Sequence, residues 1–298
     1  LSLISLCVSV SSGAVFFAFA GLPAVHPLFP YTSLFRSPEL ASICDQFRFI
    51  PEWRFDDLMI SYAPEGGSVG PHMDLYDVFI LQAEGHRRWQ INSQPVAEDN
   101  QVSDTPLRIQ KDFVAEEEWL LAPGDLIYIP PGVSHYGVAT DDCLSFSVGF
   151  RATSHTELVN DFIGYITQDL DASLTYRDPD LKTQNNPNEI TTDAINRVRR
   201  IMTDYLDPDN PKLAEWFGRF VSDTKTDISA ETDADITGIL ELKDKSLIRN
   251  PASRFAFITE GKQATLFIDG EHCATSRDFS ETLCQQRRIE SNTLIALA

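Results

Sequence analysis

The chain has 298 residues and a formal net charge of −20, with 43% hydrophobic and 10% aromatic side chains. It is long enough for more than one domain and for a sizeable core, and its composition is that of an ordinary globular protein. So acidic a chain repels nucleic acid and favours a basic partner. The five Cys are odd in number and include no Cys-X-X-Cys pair, which predicts neither disulfides nor a zinc site and indicates a reducing, cytoplasmic location.

Residues 1–35 form an atypical segment without Asp, Glu, Lys or Arg. A membrane or signal segment can have this composition, but Gly13, Gly21 and Pro23 interrupt it and no basic residues precede it. The chain also begins with Leu rather than Met. A fragment, or a stretch read from a wrong frame, explains the segment at least as well, and no membrane partner is expected.

Between residues 57 and 151 the chain reads as short strands separated by turns. The predicted strands cover residues 58–62, 78–81, 89–91, 119–121, 126–129 and 144–148. Gly, Pro and Asp cluster between them, as they do in tight turns. Many short strands at such spacing indicate a β-sandwich or barrel.

Beyond residue 155 the apolar residues recur at helical spacing. The predicted helices cover residues 157–170, 193–206, 212–221 and 233–242. Residues 176–189, which are rich in Asp, Pro and Asn, are predicted to form a loop. Residues 254–258 and 264–273 are predicted to add a strand and a hairpin.

His72, Asp74 and His135 are the most informative residues of the chain. His72 and Asp74 lie two residues apart, so on an extended segment their side chains project to the same face. His135 follows a Pro-Pro-Gly turn that ends a hydrophobic run, and a double-stranded β-helix returns a distant strand over the same metal in this way. Two imidazoles and one carboxylate bind non-haem Fe(II) and leave positions open for a co-substrate and O2. We therefore predict a metal centre at these residues.

Five segments give the chain a family resemblance. They are Phe47–Ser61, Gly70–Phe79, Arg87–Trp89, Tyr128–Gly132 and Ser147–Arg151. In these segments the chain resembles the JmjC/cupin branch of the 2-oxoglutarate oxygenases. Within that branch it resembles the bacterial ribosomal oxygenases that hydroxylate an arginine of a large-subunit ribosomal protein.

The resemblance implies a mainly β protein with α-helices. Its parts would be a double-stranded β-helix catalytic domain of cupin/JmjC type, a helical dimerisation region and a C-terminal winged-helix-like module. The expected domains are the uncharged segment 1–35, the catalytic domain 36–154, the helical region 155–222 and an incomplete winged-helix-like domain 223–298. Because the last domain is acidic overall, we expect it to contact protein rather than DNA.

The resemblance also implies Fe(II) as the metal, with 2-oxoglutarate and O2 as co-substrates. Arg87 corresponds to the family's anchor for the distal carboxylate of 2-oxoglutarate, and Arg88 should point to the opposite face of its strand. Three hydroxyl groups on core strands are candidates for further contacts with the co-substrate: Ser61, Tyr128 and Ser147. Four side chains near the metal motif are candidates for contacts with a basic substrate: Tyr62, Glu65, Tyr76 and Asp77. For each of these residues a structural role is the alternative.

The predicted function is hydroxylation of a side chain, with arginine as the expected target, in a basic ribosomal protein by a cytoplasmic homodimer. A JmjC-type demethylase of methylated lysine or arginine would use the same iron chemistry. A non-oxygenase cupin would make the winged helix a regulator. Arg87 together with the complete set of metal ligands argues against the last alternative.

Overall fold

The structure is a computed structural model. It describes residues 6–11, 14–18, 38–102, 109–224, 244–250 and 253–297. Contacts divide the chain into two compact units, one made of Leu1–Ala152 with Val221–Ala298 and the other of Thr153–Phe220. The helix predicted at 233–242 and most of segment 1–35 lie outside the described residues. Within the described ranges, no helix combines the length and the apolar character needed to span a bilayer.

The part of the first unit that is predicted to be catalytic consists of helix α1 (Pro38–Asp45) and two antiparallel sheets. The strands are β1 (Leu6–Ser11), β2 (Ala14–Ala18), β3 (Phe55–Ala63), β4 (His72–Met73), β5 (Asp77–Glu84), β6 (Arg87–Asn92), β7 (Glu117–Leu121), β8 (Leu126–Ile129), β9 (Ser134–Ala139) and β10 (Cys143–Phe150). The larger sheet has the order β2-β1-β3-β10-β5-β8 and the smaller sheet β4-β9-β6-β7. From β3 to β10 the chain passes repeatedly from one sheet to the other, which confirms the predicted double-stranded β-helix.

Successive side chains of a strand point to opposite faces, so the apolar residues form two separate clusters. The cluster between the sheets consists of Val78, Ile80, Trp89, Leu121 and Ile129. The cluster on the outer face of the larger sheet, under α1, consists of Cys44, Phe47, Leu58, Val148 and Phe150. Strand β5 shows the division, because Val78 and Ile80 belong to the first cluster whereas Phe79 packs against the second.

The second unit is helical and confirms three predicted helices. They are α2 (His155–Thr167), α3 (Thr192–Tyr205) and α4 (Lys212–Ser222), the last of which extends two residues past the unit. The side-chain oxygens of Ser154 and Thr191 accept hydrogen bonds from the first turns of α2 and α3 and so cap both helices. Trp216 of α4 packs on Phe162 of α2 and donates a hydrogen bond to Asp161 at 2.7 Å.

The C-terminal part of the first unit forms hairpins and two short helices. Its elements are β11 (Ser246–Ile248), β12 (Phe255–Glu260), β13 (Gln263–Ile268), β14 (Glu271–Ser276), α5 (Arg277–Gln285), β15 (Arg288–Glu290) and α6 (Ser291–Leu297). Strands β12, β13 and β14 form a meander, which confirms the predicted strand and hairpin. This part contacts the catalytic part through Arg48, which donates to the carbonyl oxygens of Cys284 and Gln285, and through the Arg249–Glu52 ion pair.

Candidate metal centre and co-substrate pocket

The three predicted metal ligands lie together at one edge of the smaller sheet. β4 pairs with β9 so that His72 lies opposite His135, and Asp74 comes directly after β4. The Asp74 Oδ2 atom lies 3.5 Å from His135 Nε2 and 3.8 Å from His72 Nε2. One donor atom from each residue lies within 4.8 Å of the other two, so the three can bind a single ion.

Both imidazole rings direct Nε2 towards this ion site. His72 Nδ1 lies 3.0 Å from the Gly70 carbonyl oxygen, and His135 Nδ1 lies 3.1 Å from the Val133 carbonyl oxygen. Since a carbonyl oxygen can only accept, each neutral ring places its proton on Nδ1 and leaves the Nε2 lone pair for a metal. Burial, and then the neighbouring His72, lower the pKa of His135 to about 4, so His135 is neutral at physiological pH.

Two neighbours position the carboxylate ligand. The backbone N–H of Gly132, in the turn before His135, donates to the Asp74 carbonyl oxygen at 2.7 Å. Gly132 has a φ of +81°, a conformation that favours glycine. The Tyr76 hydroxyl hydrogen-bonds to the Asp74 side chain, and burial followed by the charge of Asp74 raises the pKa of Tyr76. The donor set that results fits non-haem Fe(II).

Arg87 provides a buried cation next to the ion site. Its relative exposure is only 6%, whereas Arg88 lies on the solvent side of β6 and forms an ion pair with Glu118. The Nη1 and Nη2 atoms of Arg87 lie 3.4 Å from Ser61 Oγ and from the Gly137 carbonyl oxygen. An arginine guanidinium binds a carboxylate through two parallel hydrogen bonds, so its chemistry suits a ligand carboxylate.

Polar side chains occupy part of the inner face of the larger sheet. Ser145 of β10 lies opposite Ser61 of β3, and Ser147 comes two residues later on the same face. Ser145 Oγ donates to Gln82 Oε1 at 2.9 Å, and both residues are fully buried. Ser61 and Ser147 thus share this inner face. The sequence analysis missed Ser145 and Gln82, although the two-residue spacing between Ser145 and Ser147 could have identified Ser145.

Tyr128 and Asp77 lie on the outer face of the larger sheet. The Tyr128 hydroxyl donates to Asp77 Oδ1 at 2.6 Å, and its ring stacks on Phe79 at a centroid distance of 4.7 Å. Asp77 also accepts a hydrogen bond from Arg54 at 2.7 Å. The inner position of β8 is occupied by Ile129 instead. The predicted roles of Tyr128 in co-substrate binding and of Asp77 in substrate binding therefore do not fit their positions.

The other three substrate candidates lie in different places relative to the ion site. Tyr76 lies beside the ion site, as its hydrogen bond to Asp74 shows. Tyr62 points away from the inner face that carries Ser61, because neighbouring residues of a strand face opposite sides, and it hydrogen-bonds to Asp142. Glu65 is exposed in the turn after β3. Only Tyr76, among these three, is brought to the metal ligands.

Asp57 is a neighbour of Tyr76 that was not predicted from the sequence. Its negative charge contributes to the raised pKa of Tyr76. It occupies the inner face of β3, opposite Gly149 of β10, where a Cβ atom on the glycine would lie 2.5 Å from Asp57 Oδ1. Gly149 therefore makes room for the carboxylate. In the segment Asp57-Leu-Met-Ile-Ser61, Asp57 and Ser61 lie four residues apart and therefore face the same side of a strand. This spacing could have identified Asp57 from the sequence.

Two family models match the chain. A JmjC domain model matches residues 42–158, and a ROXA-like winged helix model matches residues 203–298. The first match contains the whole ion site and Arg87. The second supports the winged-helix-like module predicted for the C-terminal part.

The chain is similar to proteins named as a ribosomal protein hydroxylase and as a probable ribosomal oxygenase. The ribosomal protein uL16 3-hydroxylase of Escherichia coli (strain K12) is 36% identical over 190 residues, which are 63% of this chain and 50% of that protein. The probable ribosomal oxygenase of Haemophilus influenzae is 40% identical over 177 residues, 57% of this chain and 43% of that protein. The chain thus spans about half the length of the curated relatives it matches.

Solved structures agree over nearly the whole chain. The crystal structure of the Escherichia coli ribosomal oxygenase YcfD has a TM-score of 0.74 and 27% identity, and the match covers 99% of this chain and 80% of that one. The YcfD structure in complex with cobalt and 2-oxoglutarate also has a TM-score of 0.74 and 27% identity, over 98% and 80% of the two chains.

Proposed function

We propose that this chain is a ribosomal oxygenase with a JmjC domain, an Fe(II)- and 2-oxoglutarate-dependent dioxygenase that hydroxylates a side chain of a large-subunit ribosomal protein. The observation that carries the proposal is the buried Arg87 beside the site formed by His72, Asp74 and His135. A metal site alone would also suit a non-oxygenase cupin. A metal site with a buried cation suits a dicarboxylate co-substrate, because the cation pairs with the carboxylate distant from the metal.

Each residue has a distinct part in this reaction. His72, Asp74 and His135 would hold the iron, and Arg87 would bind the distal carboxylate of 2-oxoglutarate. When bound there, iron with 2-oxoglutarate and O2 supplies an oxidant strong enough for an unactivated C–H bond, which no side chain can attack. The protein's own contribution is to place the target C–H bond next to the ion site and to limit access of water.

We propose arginine as the target side chain, held by Tyr76 and Asp57. Support comes from the aromatic hydroxyl and the carboxylate next to the ion site, which suit a guanidinium. Residues 36–154 contain 19 acidic and 8 basic residues, so a basic polypeptide would be attracted to this part of the chain. The name of the Escherichia coli relative specifies a ribosomal protein, uL16, and a 3-hydroxylation.

Peptide mass spectrometry tests the proposal. The purified chain is incubated with Fe(II), 2-oxoglutarate and individual recombinant ribosomal proteins, with Asp74→Ala as the matched inactive control. We expect one peptide to gain a single oxygen atom, with succinate formed and no formaldehyde released. Loss of a methyl group together with formaldehyde would instead establish a demethylase. Tight binding of duplex DNA without any modified peptide would support a regulatory cupin.

We further propose that the protein acts as a homodimer in the cytoplasm. Helix α3 buries none of its own residues and exposes an apolar stripe of Ile195, Val198, Ile201 and Met202. A second copy would cover such a stripe. Light scattering tests this: Val198→Asp should shift the protein towards monomer, whereas Thr203→Asp, on another side of the same helix, should not.

The proposed cytoplasmic location has separate support. The free thiols Cys44, Cys143, Cys273 and Cys284 fit a reducing compartment.

A further inference from the structure

Trp89 is a buried residue that lies between the predicted anchor and the metal ligands. Its relative exposure is 5%, and its indole Nε1 has no hydrogen-bond acceptor within the part of the chain that the structure describes. A buried N–H group without an acceptor is costly, so native proteins usually provide a partner from protein, water or ligand. The position of the ring indicates which of these partners applies.

In the pairing of β6 with β9, the Trp89–Gly137 pair lies between the Arg87–Ala139 pair and the Ile91–His135 pair. The Arg87 Cζ atom lies 5.1 Å from the Trp89 ring centroid, and the His135 and Trp89 ring centroids are 5.9 Å apart. Arg87 and Trp89 are two residues apart on β6 and share its inner face. A dicarboxylate that reaches from the metal ligands to the guanidinium must therefore pass beside the indole.

The orientation of the indole is fixed by the neighbouring strand. A Cβ atom at Gly137 of β9 would lie 2.7, 2.8 and 2.9 Å from three carbon atoms of the six-membered ring. The indole thus packs directly on the Gly137 backbone, and a residue with a side chain would displace it. Because this packing limits rotation of the ring, the N–H group cannot turn towards another acceptor without disturbing the sheet.

We propose that the Trp89 Nε1–H group donates a hydrogen bond to an oxygen atom of the bound 2-oxoglutarate and so acts with Arg87 as a co-substrate-binding residue. This inference rests on the proposed function. Arg87 supplies the charge that attracts the distal carboxylate. Trp89 supplies a directional donor that selects one orientation of the carbon chain, so its loss should affect binding of 2-oxoglutarate more than binding of the metal.

Calorimetry with two matched variants tests the inference without requiring turnover. Trp89→Phe keeps a buried aromatic ring beside Arg87 and removes the N–H. Trp119→Phe makes the same chemical change at the residue directly opposite on β7, which is 42% exposed. On zinc-loaded protein we expect the Kd of 2-oxoglutarate to rise about tenfold or more for Trp89→Phe, as for a lost hydrogen bond to a charged group. We expect a change of less than about twofold for Trp119→Phe.

A second readout uses the parent protein, so it holds even if Trp89→Phe folds poorly. The chain has four Trp. The ¹⁵N-indole signals can be assigned to Trp89 by elimination, with the variants Trp53→Phe, Trp119→Phe and Trp216→Phe. Addition of 2-oxoglutarate to zinc-loaded protein should move the Trp89 signal downfield and slow its exchange with solvent. If the parent binds 2-oxoglutarate while this signal stays unchanged and Trp89→Phe keeps the parent Kd, the inference is wrong and the proposed function survives. A parent protein that binds no 2-oxoglutarate would overturn both.

Discussion

The two faces of the larger sheet differ sharply although the same strands form both. On β10, the inner face carries Ser145 and Ser147, whereas the outer face presents Val148 and Phe150 to an apolar cluster. On β5, Phe79 likewise packs outward. The hydroxyl groups of the inner face suit the polar ligand that we propose, and the buried side chains of the outer face stabilise the fold.

Because of this difference, substitutions of neighbouring residues on one strand should affect either ligand binding or stability, but not both. Adjacent residues of a strand face opposite sides, so their substitution affects different properties. Changes of the polar inner-face residues should alter binding of metal, co-substrate or substrate with little effect on the free energy of unfolding. Outer-face changes should do the reverse.

The largest expected effect is loss of activity in Asp74→Ala. Asp74 is the anionic member of the ion site, so its removal leaves two neutral imidazoles to bind the metal. We expect loss of 2-oxoglutarate turnover and weaker Fe(II) binding, measured by succinate formation and by metal titration. Turnover above about a tenth of the parent rate would contradict the assignment, since even indirect supports of metal ligands typically matter by 10- to 100-fold.

A large loss of stability without loss of binding is expected for Phe150→Ala. Phe150 is 1% exposed, and its ring contacts those of Phe47, Phe55 and Phe79. Truncation of a buried Phe to Ala typically lowers the free energy of unfolding by about 3–5 kcal/mol. Urea denaturation measures this change, and calorimetry at low temperature should show an unchanged Kd for 2-oxoglutarate in the protein that remains folded. A raised Kd would show that the two faces are coupled.

Arg87→Ala and Arg88→Ala form the next contrast, because the two residues are adjacent on β6. Arg87 is buried on the inner face and Arg88 is exposed. Removal of one partner from a buried charge pair costs about 2–5 kcal/mol, so Arg87→Ala should raise the KM for 2-oxoglutarate strongly. Arg88→Ala should leave it nearly unchanged, since an exposed ion pair with Glu118 contributes little. The opposite result would reverse the assigned faces of β6.

Patterns in the sequence were sufficient to predict many of the strands and helices and the three residues that the structure brings together at the ion site. Strands with turn residues at both ends, such as β8 and β10, and helices with regular apolar spacing, such as α3, were predicted because their patterns are local. His72, Asp74 and His135 were found because their residue types and spacing are specific to one chemistry. The short strand β4 carries too few residues to show a period.

Residues chosen for their closeness to the motif in sequence were less well predicted. Tyr128 and Asp77 flank inner-face residues and therefore point outward, where they bond to each other. Conversely, Asp57 and Trp89 belong to the inner face although nothing in their own identity distinguishes a buried ligand contact from core packing. Whether such a residue contacts a ligand or packs in the core depends on the residues opposite it on the neighbouring strand. The pairing of β3 with β10 brings together residues almost ninety positions apart.

The smallest expected effect is that of Tyr128→Phe, which tests the correction of its role. The Tyr128 hydroxyl donates to Asp77 on the outer face, and the side chain is 48% exposed. Solvent replaces much of such a bond, so the free energy of unfolding should fall by only about 0.5 kcal/mol. The ring remains stacked on Phe79 in the variant. Because the hydroxyl is separated from the co-substrate pocket by the sheet itself, the KM for 2-oxoglutarate should stay at the parent value. A raised KM with unchanged stability would return Tyr128 to the co-substrate site and place β8 in the opposite orientation.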